Sequence, residues 1–237
     1  MKKRLSLILC LLLALLPVRI GADEYTPIGQ VFTGVRAPYM IEGGLPSAED
    51  FFTDEDFAPY RITLLNLWDS SCVNCRIELP FFQQAYETYG TDGLNIVGVA
   101  TTMLGGNYPD AYELVIQNRL TYPQVIIDSG IHAVADNLFF VPQTYAVDSR
   151  GEVVGFFGGF ATYDLLEKAL LPLLMVAGDA NCDGEAAFSD ASAFAAYLTD
   201  AGSLSALGTL NCDMDGDGAL TSLDLTLLCW EILGTIK

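Results

Sequence analysis

The chain has 237 residues, 51% of them hydrophobic, and its 30 acidic against 11 basic residues give a formal net charge of −19. That length suits one or two domains with real cores. Such acidity repels phosphate backbones and anionic membrane surfaces, which excludes nucleic-acid binding and leaves solubility and cation capture as what the charge serves.

Met1-Lys2-Lys3-Arg4 is a short basic start, Leu5 to Val18 is almost purely apolar, and Ile20-Gly21-Ala22 offers small residues ahead of Asp23. This is the layout of a secretory signal peptide over residues 1–22. The apolar run is shorter than the ~20 residues of a membrane span; an uncleaved anchor or a buried helix is the competing reading. Four basic residues, Lys2, Lys3, Arg4 and Arg19, lie in this segment, so the remainder carries −23. Export makes every cysteine a possible bridge partner. After Cys10, the remaining ones are Cys72, Cys75, Cys182, Cys212 and Cys229, and an odd number leaves at least one unpaired.

Residues 23–60 are rich in Gly, Pro and acidic residues and read as an irregular lead-in with a short strand or two. Ile62 to Trp68 reads as a buried strand running straight into Cys72 and Cys75, and Ile77 to Tyr89 has helical spacing. Leu94 to Ala100 is a second buried strand, Tyr112 to Leu120 a helix, Gln124 to Asp128 a third strand and Ile131 to Leu138 a short helix. Thr144 to Val147 and Val153 to Phe157 read as strands joined by the turn Asp148–Gly151, and Tyr163 to Val176 as an amphipathic helix. Alternating strands and helices predict an α/β fold on a mainly parallel sheet finished by a hairpin. Composition shifts abruptly after Val176, which divides the chain into an α/β domain over 23–176 and a small helical domain over 177–237.

A CxxC pair at a strand-to-helix corner has a definite chemical logic. Cys72 would sit at the helix N-terminus, where unpaired N–H groups and the helix dipole stabilise a thiolate. An exposed Cys72 attacks, and Cys75, one turn later, resolves the mixed disulfide. The spacing also admits a zinc half-site, a structural short-loop disulfide or the remnant of a redox site. His132 is the only histidine and no second CxxC exists, which argues against zinc and against a Cys/His or Ser/His constellation. His132 itself reads as a helix-start or surface residue.

The segment Leu64 to Pro80, with Trp68, Cys72-Val73-Asn74-Cys75, Arg76, Glu78 and Pro80, resembles the active-site segment of the TlpA/ResA-like extracytoplasmic thioredoxins. Val141-Pro142-Gln143-Thr144 is similar to that family's cis-proline segment. The resemblance implies a thioredoxin fold, a central mixed sheet flanked by helices, with Cys72, Cys75 and a cis-Pro142 catalytic and Trp68, Val141 and Arg76 touching substrate or tuning the site. Ser71 replaces the family's usual Trp, and Val73-Asn74 departs from the common dipeptides between the cysteines. Asn66 stands where cytoplasmic thioredoxins carry a buried Asp, and Thr101-Thr102-Met103 lacks the Glu that relatives often supply. Proton management for Cys75 is therefore unexplained; Asp69 is the nearest acid and reads as an exposed, solvated charge.

The C-terminal part contains one pattern twice, offset by 34 positions. Oxygen ligands at positions 1, 3, 5 and 12 with Gly at 6 define an EF-hand-type calcium loop. The first copy offers Asp179, Asn181, Asp183, the Glu185 carbonyl and Asp190; the second offers Asp213, Asp215, Asp217, the Ala219 carbonyl, Thr221 and Asp224. Two Ca2+ sites follow, with no organic cofactor. Each loop is followed by one helix (Ala191 to Leu198 and Leu225 to Leu233) and lacks a preceding one. This duplication resembles type I dockerins, which implies a cohesin-type scaffold as partner and Phe188, Ser189, Ser222 and Leu223 as contact residues, unless Phe188 and Leu223 are core. Cys182 and Cys212 could bridge the loops, closing 29 intervening residues, a bridge worth roughly 3–4 kcal/mol. Cys229 reads as a buried free thiol.

The expected protein is a secreted thiol-disulfide oxidoreductase, possessing an unidentified electron donor or acceptor, that acts on thiols or disulfides of exported proteins and is tethered by calcium-dependent loops. A redox-silent adaptor or calcium-stabilised structural component is the alternative. Potentials of this fold span roughly −270 to −120 mV, so the direction of electron flow is open.

Overall fold

The structure, a computed structural model, describes residues 27–135 and 140–235. The expected signal peptide and the end of the helix predicted to reach Leu138 lie outside them. Seven strands form one sheet in the order β2-β1-β5-β4-β3-β6-β7. They are β1 (Arg36–Ile41), β2 (Leu45–Thr53), β3 (Ile62–Asp69), β4 (Leu94–Thr101), β5 (Gln124–Ile126), β6 (Gln143–Asp148) and β7 (Val153–Gly158). Helices α1 (Val73–Tyr89), α2 (Tyr108–Gln117), α3 (Ser129–Val134) and α4 (Tyr163–Leu174) accompany the sheet. The C-terminal part is helical, with α5 (Phe188–Leu198), α6 (Ala206–Cys212) and α7 (Ser222–Thr235). Among the described residues no helix is long and apolar enough to cross a membrane.

The sheet is mixed rather than mainly parallel. Only β3–β4 and β4–β5 pair in parallel; β1–β2, β1–β5, β3–β6 and β6–β7 are antiparallel. A parallel neighbour needs a crossover helix, and α1 and α2 supply the two that exist. All eight residues of β3 and all eight of β4 are buried, which explains their unbroken apolar runs.

The lead-in is more regular than its composition. β1 and β2 form an edge hairpin, joined to the main sheet where Tyr39 faces Val125. Its acidic side chains lie mostly outward. Inside, Phe57 packs on Phe32 and edge-on against Phe52, with ring centroids at 6.0 and 5.1 Å, and Phe32 meets Tyr145 at 5.9 Å. Asp54 accepts from the Gly34 and Val35 N–H groups at 2.7 Å each, which fastens the chain entering β1.

Helix α6 was not legible as a pattern. It is seven residues long, and the Ser205 side chain caps it by accepting from Gly208 N. Its Leu207 is fully buried and belongs to the same hydrophobic cluster as Ile62, Phe82, Leu94 and Leu170 of the α/β domain. The second acidic loop therefore does have a helix before it, stabilised by tertiary burial rather than by its own periodicity.

Phe57 is fully buried in the aromatic cluster under the hairpin. Phe57→Ala is expected to lower stability by roughly 3–5 kcal/mol, read as a shift of the urea midpoint.

Candidate functional site

Strand β3 delivers the chain to the redox corner. Cys72 is the N-cap of α1 and is disulfide-bonded to Cys75. The Cys75 N–H donates to Cys72 Sγ at 3.1 Å, a bond that favours negative charge on that sulfur when the pair is reduced. Cys75 is fully buried and Cys72 is 7% exposed. Cys72 is thus less open than expected, because the Val141 carbonyl oxygen lies 3.7 Å from its sulfur. The Val141–Pro142 peptide is cis, as the resemblance implied.

A polar clamp holds this corner. Asp69 is fully buried, not a solvated charge. Its Oδ1 accepts from the Ser71 N–H and hydroxyl at 2.8 Å each, and its Oδ2 from the Leu104 N–H at 2.9 Å. Ser70 Oγ donates to the Asn107 carbonyl and accepts from the Asn107 N–H, both at 3.0 Å. The segment Asp69-Ser70-Ser71 is thereby tied to the loop between β4 and α2. Ser71, where the family usually has Trp, contributes its hydroxyl to this set. Gly106 completes the clamp: a Cβ there would lie 2.1 Å from Asp69 Oδ1 and 2.5 Å from Ser70 Oγ. Sequence reasoning missed this set, since nothing local marks a carboxylate for burial by a loop 35 residues away.

Glu78 is the second buried acid. It lies on α1 one turn beyond Cys75, which puts both on one face. Its Oε1 accepts from Asn66 Nδ2 at 2.9 Å and its Oε2 from the Ala161 N–H at 3.1 Å. Asn66 Nδ2 also donates to Thr144 Oγ1 at 3.1 Å. Burial raises the Glu78 carboxyl to about 7, although the two donors pull it down. The motif by itself gives Glu78 no role; the signal for one is Asn66, an amide at a buried strand position that needs a polar partner.

The tuning residues separate. Trp68 is fully buried with Nε1 on Gln124 Oε1 at 3.2 Å, so it supports the sheet and cannot touch a substrate. Val141 flanks the disulfide. Arg76 is exposed, makes no ion pair among the described residues, and lines a shallow cleft with Ser70, Asp110, Glu113, Leu114 and Gln117. His132 is exposed on α3.

In the C-terminal part, ligand oxygens of Asp179, Asp183 and Asp190 lie within 4.8 Å of one another, and so do those of Asp213, Asp215 and Asp224. Both loops turn on a Gly of positive φ, Gly184 at 104° and Gly218 at 82°, each donating to the first Asp of its loop at 2.8 and 3.0 Å. The loops thus have the hard oxygen donors that calcium takes. Burial pushes the Asp224 carboxyl up, but N–H groups of Thr221, Asp215 and Met214 and the Thr221 hydroxyl hold it below its ordinary value, ready for a cation. Asn181 Nδ2 donates to Asp183 Oδ2 at 2.9 Å, and Asp217 Oδ1 accepts from the Ala219 N–H at 2.8 Å. Glu185 is exposed at the seventh position of its loop.

The allowed Cys182–Cys212 bridge is not formed; Cys182, Cys212 and Cys229 are free thiols. Cys182 adopts φ 61° and turns its sulfur to Ser205 Oγ at 3.5 Å, whereas Cys212 is buried with Phe194, Leu228 and Ile232. Burial pushes the Cys212 thiol up to about 12, so it is inert as a nucleophile. Cys229 is half-buried rather than buried. Phe188 and Leu223 are 58% and 54% exposed, which removes the core reading for both.

Residues 177–233 match the family model of the dockerin type I domain. The thiol:disulfide interchange protein HelX of Rhodobacter capsulatus is 31% identical over 134 residues, covering 56% of this chain and 72% of that protein. The chain belongs to the ResA-like thiol-disulfide oxidoreductase family, with a C-terminal dockerin. ResA of Geobacillus thermodenitrificans is 28% identical over 70% of this chain and 91% of its own length. The match to sporulation thiol-disulfide oxidoreductase A of Bacillus subtilis is shorter, at 28% identity over 38% of this chain and 55% of that protein. The crystal structure of StoA from Bacillus subtilis aligns at 22% identity over 60% of this chain and 98% of that one, with a TM-score of 0.46.

Two outcomes follow. Gly106→Ala forces Asp69 and Ser70 apart and is expected to cost about 1–3 kcal/mol, seen as a lowered thermal midpoint with slower re-formation of the Cys72–Cys75 disulfide by glutathione disulfide, which is reduced to two thiols. Glu78 keeps its proton in the fold up to about pH 7 but loses it near about 4.3 in the unfolded chain. Between those values only the native state is protonated there, so this group's contribution to stability falls as pH rises. Urea midpoints at pH 5 and pH 8 should show that fall, and Glu78→Gln should abolish it; a slope that persists in the variant belongs to another group.

Proposed function

We propose that this chain is an exported thiol-disulfide oxidoreductase, with residues 23–176 as the redox domain and 177–237 as a calcium-dependent tether to a cohesin-type scaffold. The observation that carries the redox half is the Cys72–Cys75 disulfide at the N-cap of α1, with the Cys75 N–H on Cys72 Sγ.

The exchange runs through sulfur alone. In the reduced protein the Cys72 thiolate attacks one sulfur of a substrate disulfide, forming a mixed disulfide and releasing the other sulfur as a thiolate. Cys75 then loses its proton and attacks Cys72 Sγ. The Cys72–Cys75 bond re-forms, the second substrate thiolate leaves, and two electrons have passed to the substrate. Run backwards, the same steps oxidise a substrate dithiol. Glu78, titrating near the working pH one turn from Cys75, is the group that takes the Cys75 proton. Cys72, Cys75 and Pro142 surround the reacting sulfurs, while Arg76 and Val141 border the approach.

The tether half is supported by two in-register loops under the dockerin match. Asp179, Asn181, Asp183, the Glu185 carbonyl and Asp190 would hold one Ca2+; Asp213, Asp215, Asp217, the Ala219 carbonyl, Thr221 and Asp224 the other. Phe188, Ser189, Ser222 and Leu223 are all exposed. On α7 the apolar exposure continues to Trp230 and Leu233, at 67% and 56%, two turns and more along the face that begins at Leu223.

The redox half is tested with the full chain in insulin reduction driven by dithiothreitol. Cys72→Ser is expected to bring the rate to the uncatalysed level; unchanged activity would refute it. For the tether half, calcium should raise the thermal midpoint of the chain and a chelator reverse the gain. A midpoint indifferent to calcium assigns the loops no metal.

A further inference from the structure

Arg61 links the two halves chemically. It stands just before β3, with its backbone N–H on the Gly93 carbonyl at 2.9 Å. Its Nη1 donates to the Leu174 carbonyl at the end of α4, and its Nη2 donates to Asp179 Oδ2 at 2.9 Å. The Arg61 side chain is 20% exposed and that of Asp179 is fully buried. Around this pair the halves close together. Asp92 accepts from the Leu207 N–H at 3.2 Å, and Asn211 holds the junction by accepting from the Val176 N–H at 3.0 Å.

The two loops are otherwise near copies at their first position. The fifth residue of each donates to Oδ1 of the first Asp, at 3.0 Å for Asp183 and 3.1 Å for Asp217, and the sixth donates to Oδ2. They differ in charge balance. The first loop has Asn181 where the second has Asp215, and Asp179 carries a guanidinium, whereas Asp213 has no ion pair among the described residues.

We propose that Arg61 makes the first loop the weaker calcium site and sets its occupancy against the contact between redox domain and dockerin. Affinity in such loops follows the charge of the ligand set, and the guanidinium cancels one of the three clustered carboxylates. Two cations on one buried carboxylate also repel, with little screening by solvent. By linkage the effect is mutual: whatever affinity Arg61 costs calcium at the first loop, calcium costs the Arg61–Asp179 contact. The inference rests on the calcium-loop reading above.

Calcium titration calorimetry on the full chain tests it. In Asp213→Asn, which leaves the first loop, calcium is expected to bind at least ~5-fold more weakly than in Asp179→Asn, which leaves the second. Arg61→Gln in the Asp213→Asn background should tighten the first loop by a similar ~5-fold or more. Arg61→Lys, which keeps the charge, should leave it at the parent value. Near-UV circular dichroism checks that each variant is folded; Arg61→Met serves where Arg61→Gln does not fold, because Asn181 against Asp215 makes the two loops unequal by itself and only a substitution at Arg61 isolates the arginine. Equal loops, a tighter first loop, or an Arg61→Gln that leaves or lowers its affinity would overturn the proposal while the calcium reading survives. No calcium heat at either loop would remove both.

Discussion

Strand β3 is buried at every position, between β4 on one side and β6 on the other. A strand enclosed on both edges and both faces cannot shift register without exposing its whole apolar set. Whatever is attached to its ends is therefore held as firmly as the core itself. At one end Asp69 leads into Cys72; at the other stands Arg61 with its grip on Leu174 and Asp179. Eight extended residues separate the ends by roughly 23 Å. The redox corner and the dockerin thus occupy opposite poles, and β4 repeats the arrangement with Thr101 near the corner and Asp92 under Leu207. The disulfide therefore lies at the end of the sheet away from the dockerin.

The second organising fact is how a chain so poor in basic residues keeps its carboxylates quiet. The ion pairs among the described residues involve only Arg61 and Arg150. Backbone N–H groups do most of the remaining work. Asp54 takes two at the start of β1, Asp69 takes those of Ser71 and Leu104, and Asp190 and Asp224 each take N–H groups within their own loops. Hydrogen bonds to an ionised acceptor are stronger than neutral ones, and they make compact, preformed oxygen sites. In the loops that arrangement suits a divalent cation; at Asp69 it fixes a redox loop. Glu78 is the exception: it has two donors, but burial raises its carboxyl to about 7.

Much of this was readable without coordinates. The strand-to-helix corner at Cys72, the proline opposite it and the two calcium loops are contiguous motifs whose spacing alone carries their geometry, and the resemblance to known families adds the cis bond at Pro142. The lead-in and α6 were less legible for the same physical reason. β2 faces solvent with its acidic residues, and α6 is too short to show a period, so both depend on what they pack against.

The amino-acid sequence by itself determined the chemistry available: a dithiol at a helix N-terminus, oxygen ligands at loop spacing, a surplus of negative charge and an apolar leader. Tertiary structure alone decided which charges meet and which are dry. It buried Asp69 beneath a distant loop, brought Glu78 against Asn66, parted Cys182 from Cys212 and set Arg61 on Asp179 across 118 positions of chain. Local patterns encode backbone geometry because sterics and hydrogen bonding act between near neighbours. Electrostatic partners are chosen by packing, where a single contact distance outweighs any separation along the chain.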